Sequence, residues 1–392
     1  MSRSAVLAIA GLLALPFLSG CAVGRLDAVP SALAGDLSFA SVQNARFSGD
    51  DGASLADEMF RSIAHERATG AKPGPWSFLA LSGGQEDGAF GAGLLVGWSR
   101  HGGRPQFKIV TGTSTGALAA PFAFLGSEYD ATLEQMYTTT GSDDIVSARF
   151  ITAAVNGDAI GDSSPLYESI CKYMTPEVLR RIGQEYQKGR LLLISTANLD
   201  SGKLVIWNIG AIAASDNPTK LRLVRKILLA SAAVPGLFPP VMLDVLLDNE
   251  KRQEMHVDGG TVSQVFLYPP STKMAGLVGK SGGSATAYVI RNGRAAPNAK
   301  RIERQTLAIA SRAIETMVSS NAVGELYRIY ATAQRDGIAF KAALIGDDFT
   351  EPYREAFDTH YMTKLFEYGR AKGVEGYAWR TTPPDFDKPS AH

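Results

Sequence analysis

The sequence lacks an excess of charge of either sign, and it has very few cysteines. Its 392 residues include 39 basic and 39 acidic side chains, so the formal net charge is zero at neutral pH. Without a basic excess the chain has little means of displacing the counterions of a nucleic acid, and we expect no nucleic-acid partner. Two cysteines, Cys21 and Cys171, cannot form a disulfide framework. These absences exclude disulfide-stabilised small domains and argue against nucleic-acid-binding proteins.

Periodic and low-complexity segments are also absent. The 40 glycines and 19 prolines do not recur at a fixed spacing, which excludes collagen-like chains. Charged residues make up 20% of the sequence and hydrophobic residues 45%, which is typical of a packed globular protein rather than a disordered one. The length allows one large domain or two ordinary ones.

The first 20 residues have the pattern of a secretory signal peptide. Arg3 is the only charged residue before the apolar run 5–17, which is too short to span a bilayer as an ordinary helix. The run is followed by LSGC, ending at Cys21, which resembles the bacterial lipobox. The resemblance implies cleavage before Cys21 and acylation of this cysteine, which would anchor the chain in the inner or outer membrane of a bacterial cell envelope. A plain signal peptide or a buried N-terminal helix is the alternative.

Short apolar segments alternate with helical ones from Trp76 onward. The pattern predicts strands over the segments 76–81, 107–110, 191–196, 203–207 and 285–290. It predicts helices over 88–100 and 117–125, and one or two long amphipathic helices within 298–335. This alternation is typical of an α/β fold with a mostly parallel central sheet flanked by helices, here with extra C-terminal helices.

A glycine-serine turn follows the second of these strands. The segment GTSTG at 112–116 fits the pattern G-x-S-x-G between a strand and an apolar helix, which is the context of a nucleophile elbow. Gly112 and Gly116 would let the backbone turn sharply and present Ser114 at the carboxyl end of the sheet. The N-terminus of the next helix would stabilise negative charge that develops there. A turn whose serine only caps a helix is the alternative.

A second glycine-rich loop, SGGQEDG at 82–88, also leads from a strand into a helix. Successive backbone N–H groups of Gly83, Gly84 and Gln85 would be able to bind the oxyanion of a tetrahedral intermediate. A phosphate-binding loop is the rival interpretation. No G-x-x-x-x-G-K-[ST] motif occurs here, however, and the two acidic residues after Gln85 would repel phosphate groups. Close packing of a helix on a strand would also require glycine.

The third element is the turn HVDGG at 256–260. A serine hydroxyl needs a proton acceptor to act as a nucleophile at neutral pH, and a carboxylate that hydrogen-bonds the hydroxyl can serve. Gly259 and Gly260 would let Asp258 occupy a tight turn close to another segment of backbone. By itself, Asp-Gly-Gly is a common turn.

Together these elements resemble the patatin-like phospholipase family. The matching segments, in the order of the family, are SGGQEDGAFGAG at 82–93, GTSTG at 112–116, ASAAVPGLFPPV at 230–241 and VDGG at 257–260. The resemblance implies hydrolysis of lipid acyl esters, of the phospholipase A or lysophospholipase type, through an acyl-enzyme and without a metal or cofactor. By position it implies Ser114 as the nucleophile, Asp258 as the base and residues 83–85 as the oxyanion loop.

Two positions depart from the family pattern. The family loop commonly reads G-G-G-x-[RK]-G, whereas here Gln85 replaces the third glycine and Asp87 replaces the basic residue. An acidic residue at position 87 removes a positive charge that would help to bind an oxyanion or a lipid phosphate. The sequence therefore predicts weak activity or a preference for neutral acyl esters.

The resemblance divides the chain into a signal peptide (1–20), an anchor or linker region (21–75), a catalytic domain (76–290) and a helical C-terminal region (291–392). Two other functions stay open. An α/β-hydrolase with a Ser-Asp-His triad needs a histidine beyond the acid, and His360 is the available position. A catalytically silent envelope lipoprotein that binds lipid or a protein partner is the other possibility.

Overall fold

The computed structural model describes most of the chain beyond the N-terminus. The described residues are 24–30, 42–70, 74–145, 147–148, 159, 161–248, 250–280, 283–296 and 301–386. The predicted signal peptide and Cys21 lie outside these residues. Within the described ranges, no helix is both long enough and apolar enough to cross a bilayer.

Strands and helices alternate along much of the chain. The strands are β1 (Arg46–Ser48), β2 (Trp76–Leu81), β3 (Ile109–Gly112), β4 (Ser147–Ala148), β5 (Gly161–Asp162), β6 (Leu191–Asn198), β7 (Lys203–Asn208), β8 (Val241–Leu247), β9 (Glu250–Asp258), β10 (Ala285–Ile290) and β11 (Ala339–Ala343). The helices are α1 (Gly52–Ala68), α2 (Gly88–His101), α3 (Thr115–Leu125), α4 (Asp130–Thr138), α5 (Ser164–Tyr173), α6 (Pro176–Gln187), α7 (Ile209–Ala214), α8 (Lys220–Ser231), α9 (Ala275–Lys280), α10 (Thr306–Arg335) and α11 (Thr359–Val374).

In the part of the chain that the structure describes, nine strands form one sheet. Its order is β1-β7-β6-β3-β2-β10-β11, and the β8–β9 hairpin joins it through β6. The five neighbours β6, β3, β2, β10 and β11 run parallel, whereas β7 and β1 continue the sheet antiparallel. Every residue of β6 is buried, as expected for a central strand covered on both faces. The predicted α/β fold with a mostly parallel central sheet is therefore confirmed.

Helices cover both faces of this sheet. Alternate residues of β2 point to opposite faces: Leu79 and Leu81 belong to one apolar core, and Phe78 and Ala80 belong to the other. The first core includes residues of α2 and α3, and the second includes residues of α1 and α10. The sheet is thus the middle of three layers.

The C-terminal region contributes to the same sheet. The strand β11 pairs with β10 in parallel, and α10 connects the two. Within the predicted range 298–335, the structure has one long helix, α10. The helix α11 packs closely on α2, because a Cβ atom at Gly93 would lie only 2.0 Å from the carbonyl oxygen of Phe366.

The β8–β9 hairpin was not predicted from the sequence, and it determines where Asp258 lies. The strand β6 pairs with β3 at residues 191–194 and with β9 at residues 196–198, so β9 enters the sheet beyond the carboxyl end of β3. Asp258 is the last residue of β9 and lies opposite Thr196. Since β9 runs antiparallel to β6, the ends of β3 and β9 meet at the carboxyl edge of the sheet.

Candidate active site

Ser114 lies at the turn between β3 and α3 in a strained backbone conformation. Its φ is 55° and its ψ is −127°, values that a residue with a side chain rarely adopts. Such strain costs about 1–3 kcal/mol and persists only where the surrounding structure fixes the backbone. The N–H of Ser114 donates to Ser231 Oγ at 3.0 Å. A Cβ atom at Gly116 would lie 2.4 Å from the carbonyl oxygen of Leu81, so the turn is packed tightly against β2.

Asp258 lies beside this serine and is almost completely buried, with 4% of its surface exposed. Its Oδ1 accepts a hydrogen bond of 2.7 Å from the N–H of Gly260. Burial raises the pKa of Asp258 to about 7, and the Ser114 side chain and the N–H of Gly260 lie close enough to oppose the rise. The carboxyl group therefore titrates close to neutral pH, where a general base is most effective.

The segment 230–241, which the family resemblance includes, passes between the two residues. Ser231 Oγ accepts the N–H of Ser114, and the carbonyl oxygen of Ala233 accepts the N–H of Asp258 at 2.9 Å. Val234 and Phe238 then line the cavity next to Ser114. This segment fixes both backbones and supplies part of the wall.

The glycine-rich loop at 82–88 differs from its prediction at one position. The N–H of Gly83 donates to the carbonyl oxygen of Gln264 at 2.8 Å, so Gly83 does not present a free donor to an oxyanion. The described residues offer no acceptor to the N–H groups of Gly84 and Gln85. Gly84 has a φ of 153° and Gln85 a φ of 51°, so Gln85 holds a left-handed conformation that favours glycine.

Two residues that the sequence analysis missed hold this loop in place. Gln264 accepts the N–H of Gly83 and donates from Nε2 to the carbonyl oxygen of Gly260 at 3.2 Å, which ties the loop to the turn after Asp258. Asn292 donates from its backbone N–H to Ser82 Oγ and from Nδ2 to the carbonyl oxygen of Ser82, both at 2.8 Å. Asn292 follows β10 at the carboxyl edge, where sites of parallel sheets gather, and that position could have indicated it.

Of the two acidic side chains of the loop, Glu86 is buried and Asp87 is partly buried. Burial raises the pKa of Glu86 to about 7 and that of Asp87 to about 6. Asp87 Oδ1 accepts a hydrogen bond of 2.9 Å from the Tyr361 hydroxyl, and Arg294 and Arg291 lie close enough to lower its pKa. Basic side chains from the segment after β10 therefore offset part of the negative charge at position 87.

An apolar cavity of about 70 Å³ adjoins Ser114. Its walls come from the loop 82–88, α3, α4, α5 and the segment 230–241, together with Phe357 and Met362. A second cavity of about 30 Å³ lies next to it and shares the lining residues Leu118, Met136, Leu166 and Ser169. An apolar cavity beside a few polar groups fits the acyl part of an ester.

Neither histidine that the sequence analysis considered reaches this cavity. His256 is buried, and its ring nitrogens pair with Thr196 Oγ1 at 2.9 Å and Glu254 Oε2 at 3.2 Å. Burial lowers its pKa, and the hydrogen bond and charge of Glu254 oppose this shift. His360 lies on the surface with its Nε2 at 3.2 Å from Glu351 Oε1. Among the described residues that line the Ser114 cavity, none is a histidine.

Comparison with known proteins connects these observations to a family. The profile of the patatin-like phospholipase family matches residues 79–269, which include Ser114 and Asp258. A comparison with curated proteins finds no match to this sequence. Among solved structures, VipD from Legionella pneumophila is similar at 12% sequence identity and a TM-score of 0.32, with 78% of this chain and 67% of VipD covered. Residues 79–269 are a patatin-like phospholipase domain, and the chain is accordingly a lipid acyl hydrolase, an enzyme that cleaves carboxylic esters.

Proposed function

We propose that this hydrolase acts through a catalytic dyad in which Ser114 is the nucleophile and Asp258 is the general base. One observation carries the proposal: a serine on a strained strand-to-helix turn lies next to a buried carboxyl group whose pKa is raised to about 7. A carboxylate of that pKa can accept the serine proton at neutral pH without a histidine.

The reaction proceeds in two halves. Asp258 takes the proton of the Ser114 hydroxyl as Oγ attacks the ester carbonyl carbon, and the oxyanion binds to the N–H groups of Gly84, Gln85 and Thr115. The C–O bond to the alcohol breaks, and the alcohol leaves with the proton from Asp258. Water then attacks the acyl-enzyme while Asp258 takes its proton, and that proton returns to Ser114 when the fatty acid leaves.

The substrate class we propose is that of phospholipase A and lysophospholipase enzymes, with the acyl chain in the apolar cavity beside Ser114. The acidic side chains of Glu86, which lines the cavity, and of the neighbouring Asp87 favour substrates whose alcohol part carries no net negative charge. Arg291 and Arg294 reduce this preference rather than remove it, because their charges act on Asp87 but their side chains do not line the cavity.

We also propose that Cys21 carries a lipid that anchors the enzyme in the bacterial cell envelope. The support is the order of charge, apolar run, small residues and cysteine in the first 21 residues. Incorporation of a labelled fatty acid into the wild-type chain, but not into Cys21→Ser, is the expected result. Equal labelling of both chains would overturn the anchor at this position.

The dyad is tested with a fluorophosphonate probe, which labels activated serines covalently. We expect labelling of the wild-type protein and none of Ser114→Ala or Asp258→Asn. Ser169→Ala is the matched control, since Ser169 lines the same cavity and should not alter labelling. His360→Ala should also be labelled normally, because a dyad needs no histidine. A folded wild-type protein that is neither labelled nor active would favour the catalytically silent lipoprotein.

A further inference from the structure

The helix α10 is much longer than the strands that it connects. It has 30 residues and is therefore about 45 Å long. The strands β10 and β11 have six and five residues and span about 20 Å or less. Part of α10 therefore has to extend beyond the sheet.

The burial of its side chains shows that the N-terminal half is the part that extends. Leu326, Ile329 and Ala333 of the C-terminal half are buried in the core beneath the sheet. In the N-terminal half, by contrast, apolar side chains face solvent: Ile309 is 53% exposed, Ile314 61% and Met317 65%. At about 100° per residue these three side chains fall within about 140° of the helix circumference, so they form one apolar face. We call residues 306–320 the overhang.

The overhang lies at the edge of the sheet that carries the active site. The strands β10 and β11 are parallel, so the helix between them begins at the carboxyl edge, where Ser114 also lies. Glu315 of the overhang approaches the loop next to Ser114. Burial is the main cause of the raised pKa of Glu86 and of Tyr353, and the charge of Glu315 adds to it in both cases. Glu86 in turn lines the Ser114 cavity.

The chain next to the predicted anchor also docks at this edge. Arg25 forms a double hydrogen bond of 2.8 Å with Asp200, which follows the carboxyl end of β6. Cys21 lies only four residues before Arg25 in the sequence. A lipid on Cys21 would therefore hold the carboxyl edge, with Ser114 and the overhang, near the surface of a membrane.

We propose that the overhang is an interfacial docking surface that rests on a lipid bilayer and brings the Ser114 cavity to its substrate. An exposed apolar helix face of this size beside a lipid-hydrolysing site fits the headgroup region of a membrane, and Arg301 and Arg304, exposed just before the helix, fit anionic lipids there. The proposal rests on the proposed function, since it assigns the substrate to a membrane.

The test separates membrane docking from chemistry. The chain from residue 22 contains every described residue but no anchor, and it is compared with the double variant Ile314→Ser, Met317→Ser. Binding is measured by co-sedimentation with phosphatidylcholine–phosphatidylglycerol vesicles. Activity is measured on a water-soluble butyrate ester and, separately, on a fluorogenic phospholipid in the same vesicles. We expect the double variant to lose at least about tenfold in vesicle binding and in vesicle hydrolysis. Hydrolysis of the soluble ester should stay within about twofold.

Val374→Ser is the matched control. Val374 is 45% exposed and lies at the C-terminal end of α11, where its carbonyl oxygen is 3.1 Å from His101 Nδ1 at the end of α2. Since α2 starts at the carboxyl edge, after β2, its C-terminus and Val374 lie at the opposite edge of the sheet. This variant should bind vesicles normally.

Unchanged vesicle binding by the double variant would overturn the proposal. The proposal would also be overturned if wild type were a dimer, the double variant were a monomer, and both bound vesicles equally. In that case a second copy of the chain would cover the apolar face. A wild-type protein that does not hydrolyse the soluble ester would instead contradict the proposed dyad. Its vesicle binding can still be measured, so the docking proposal is tested separately.

Discussion

Two residues of the active site, Ser114 and Gln85, hold backbone conformations with positive φ, and each is fixed by contacts distant in sequence. Ser114 is bonded through its N–H to Ser231, and the loop that contains Gln85 is clamped by Asn292 and Gln264. Strain of this kind is typical of functional sites, because it prepares a side chain for reaction before substrate arrives. The contacts around Ser114 therefore maintain the backbone conformation in which its side chain is presented to the cavity.

The raised pKa of Asp258 predicts how activity depends on pH. The base works only when its carboxyl group is deprotonated, so kcat/KM should fall as the pH drops through about 7, the value to which burial raises its pKa. The measurement is a pH profile of ester hydrolysis. Glu86 has a similar pKa of about 7, so Glu86→Gln is the control, and it should keep the same acidic limb. A limb that disappears in Glu86→Gln would assign the titration to Glu86 instead.

At the scale of elements, one buried polar network joins three strands of the sheet. Arg46 on β1 pairs with Glu254 on β9, which hydrogen-bonds His256, and His256 in turn bonds Thr196 on β6. Glu254 and His256 are completely buried. The network fixes the hairpin that carries Asp258, and it holds the ring of His256 away from the Ser114 cavity.

His256→Ala should therefore destabilise the protein rather than alter its chemistry. Removing the ring leaves a cavity and buried polar groups without a partner, and we expect the free energy of unfolding to fall by about 2–4 kcal/mol. Urea denaturation measures this change. The surface variant His360→Ala should lie within about 0.5 kcal/mol of wild type. A folded His256→Ala protein that is not labelled by a fluorophosphonate would contradict the structural role.

The sequence predicted some elements well and missed others for physical reasons. The strand at 76–81 and the helix from Gly88 were predicted because continuous apolar runs and glycine turns mark buried parallel strands and the loops after them. The strand β3 spans Ile109–Gly112 rather than the predicted segment 107–110. It is thus shifted by two residues and leads directly into the serine turn. The strands β9 and β11 were missed, since EKRQEMHVD is charged on its exposed half and AFKAA is rich in alanine.

The same contrast holds for the site. Ser114 and Asp258 were predicted because each lies in a local motif, and the structure places the two residues close together. Gln264 and Ser231 were not found, because their importance depends on contacts between distant segments, which a single sequence does not reveal. The prediction for Gly83 failed for the same reason: its N–H is taken by Gln264, 181 residues further along the chain.

At the scale of the whole molecule, the C-terminal region completes the structure that holds the site. The strand β11 extends the sheet, α10 covers one face and α11 packs on α2 on the other. Asn292, which clamps the glycine-rich loop, also lies beyond residue 290.

A chain that ends at residue 290 should therefore not fold. Without α10 and α11, large parts of both apolar cores would be exposed to water. We expect aggregation in expression trials and no cooperative thermal transition in circular dichroism. A chain that ends at residue 386 retains every described residue and is the control, which should behave like wild type. A soluble, cooperatively folding chain of 22–290 would contradict this expectation.

The position of β9 also bears on when during biogenesis the enzyme becomes active. Ser231, which holds the backbone of Ser114, is 117 residues further along the chain, and the carboxylate lies beyond it at the end of β9. A chain that is still emerging from a ribosome thus carries Ser114 without the carboxylate that we propose as its proton acceptor. With this dyad, hydrolysis begins only after β9 has joined the sheet beside β6. The topology thereby links the onset of ester cleavage to the completed synthesis of the domain.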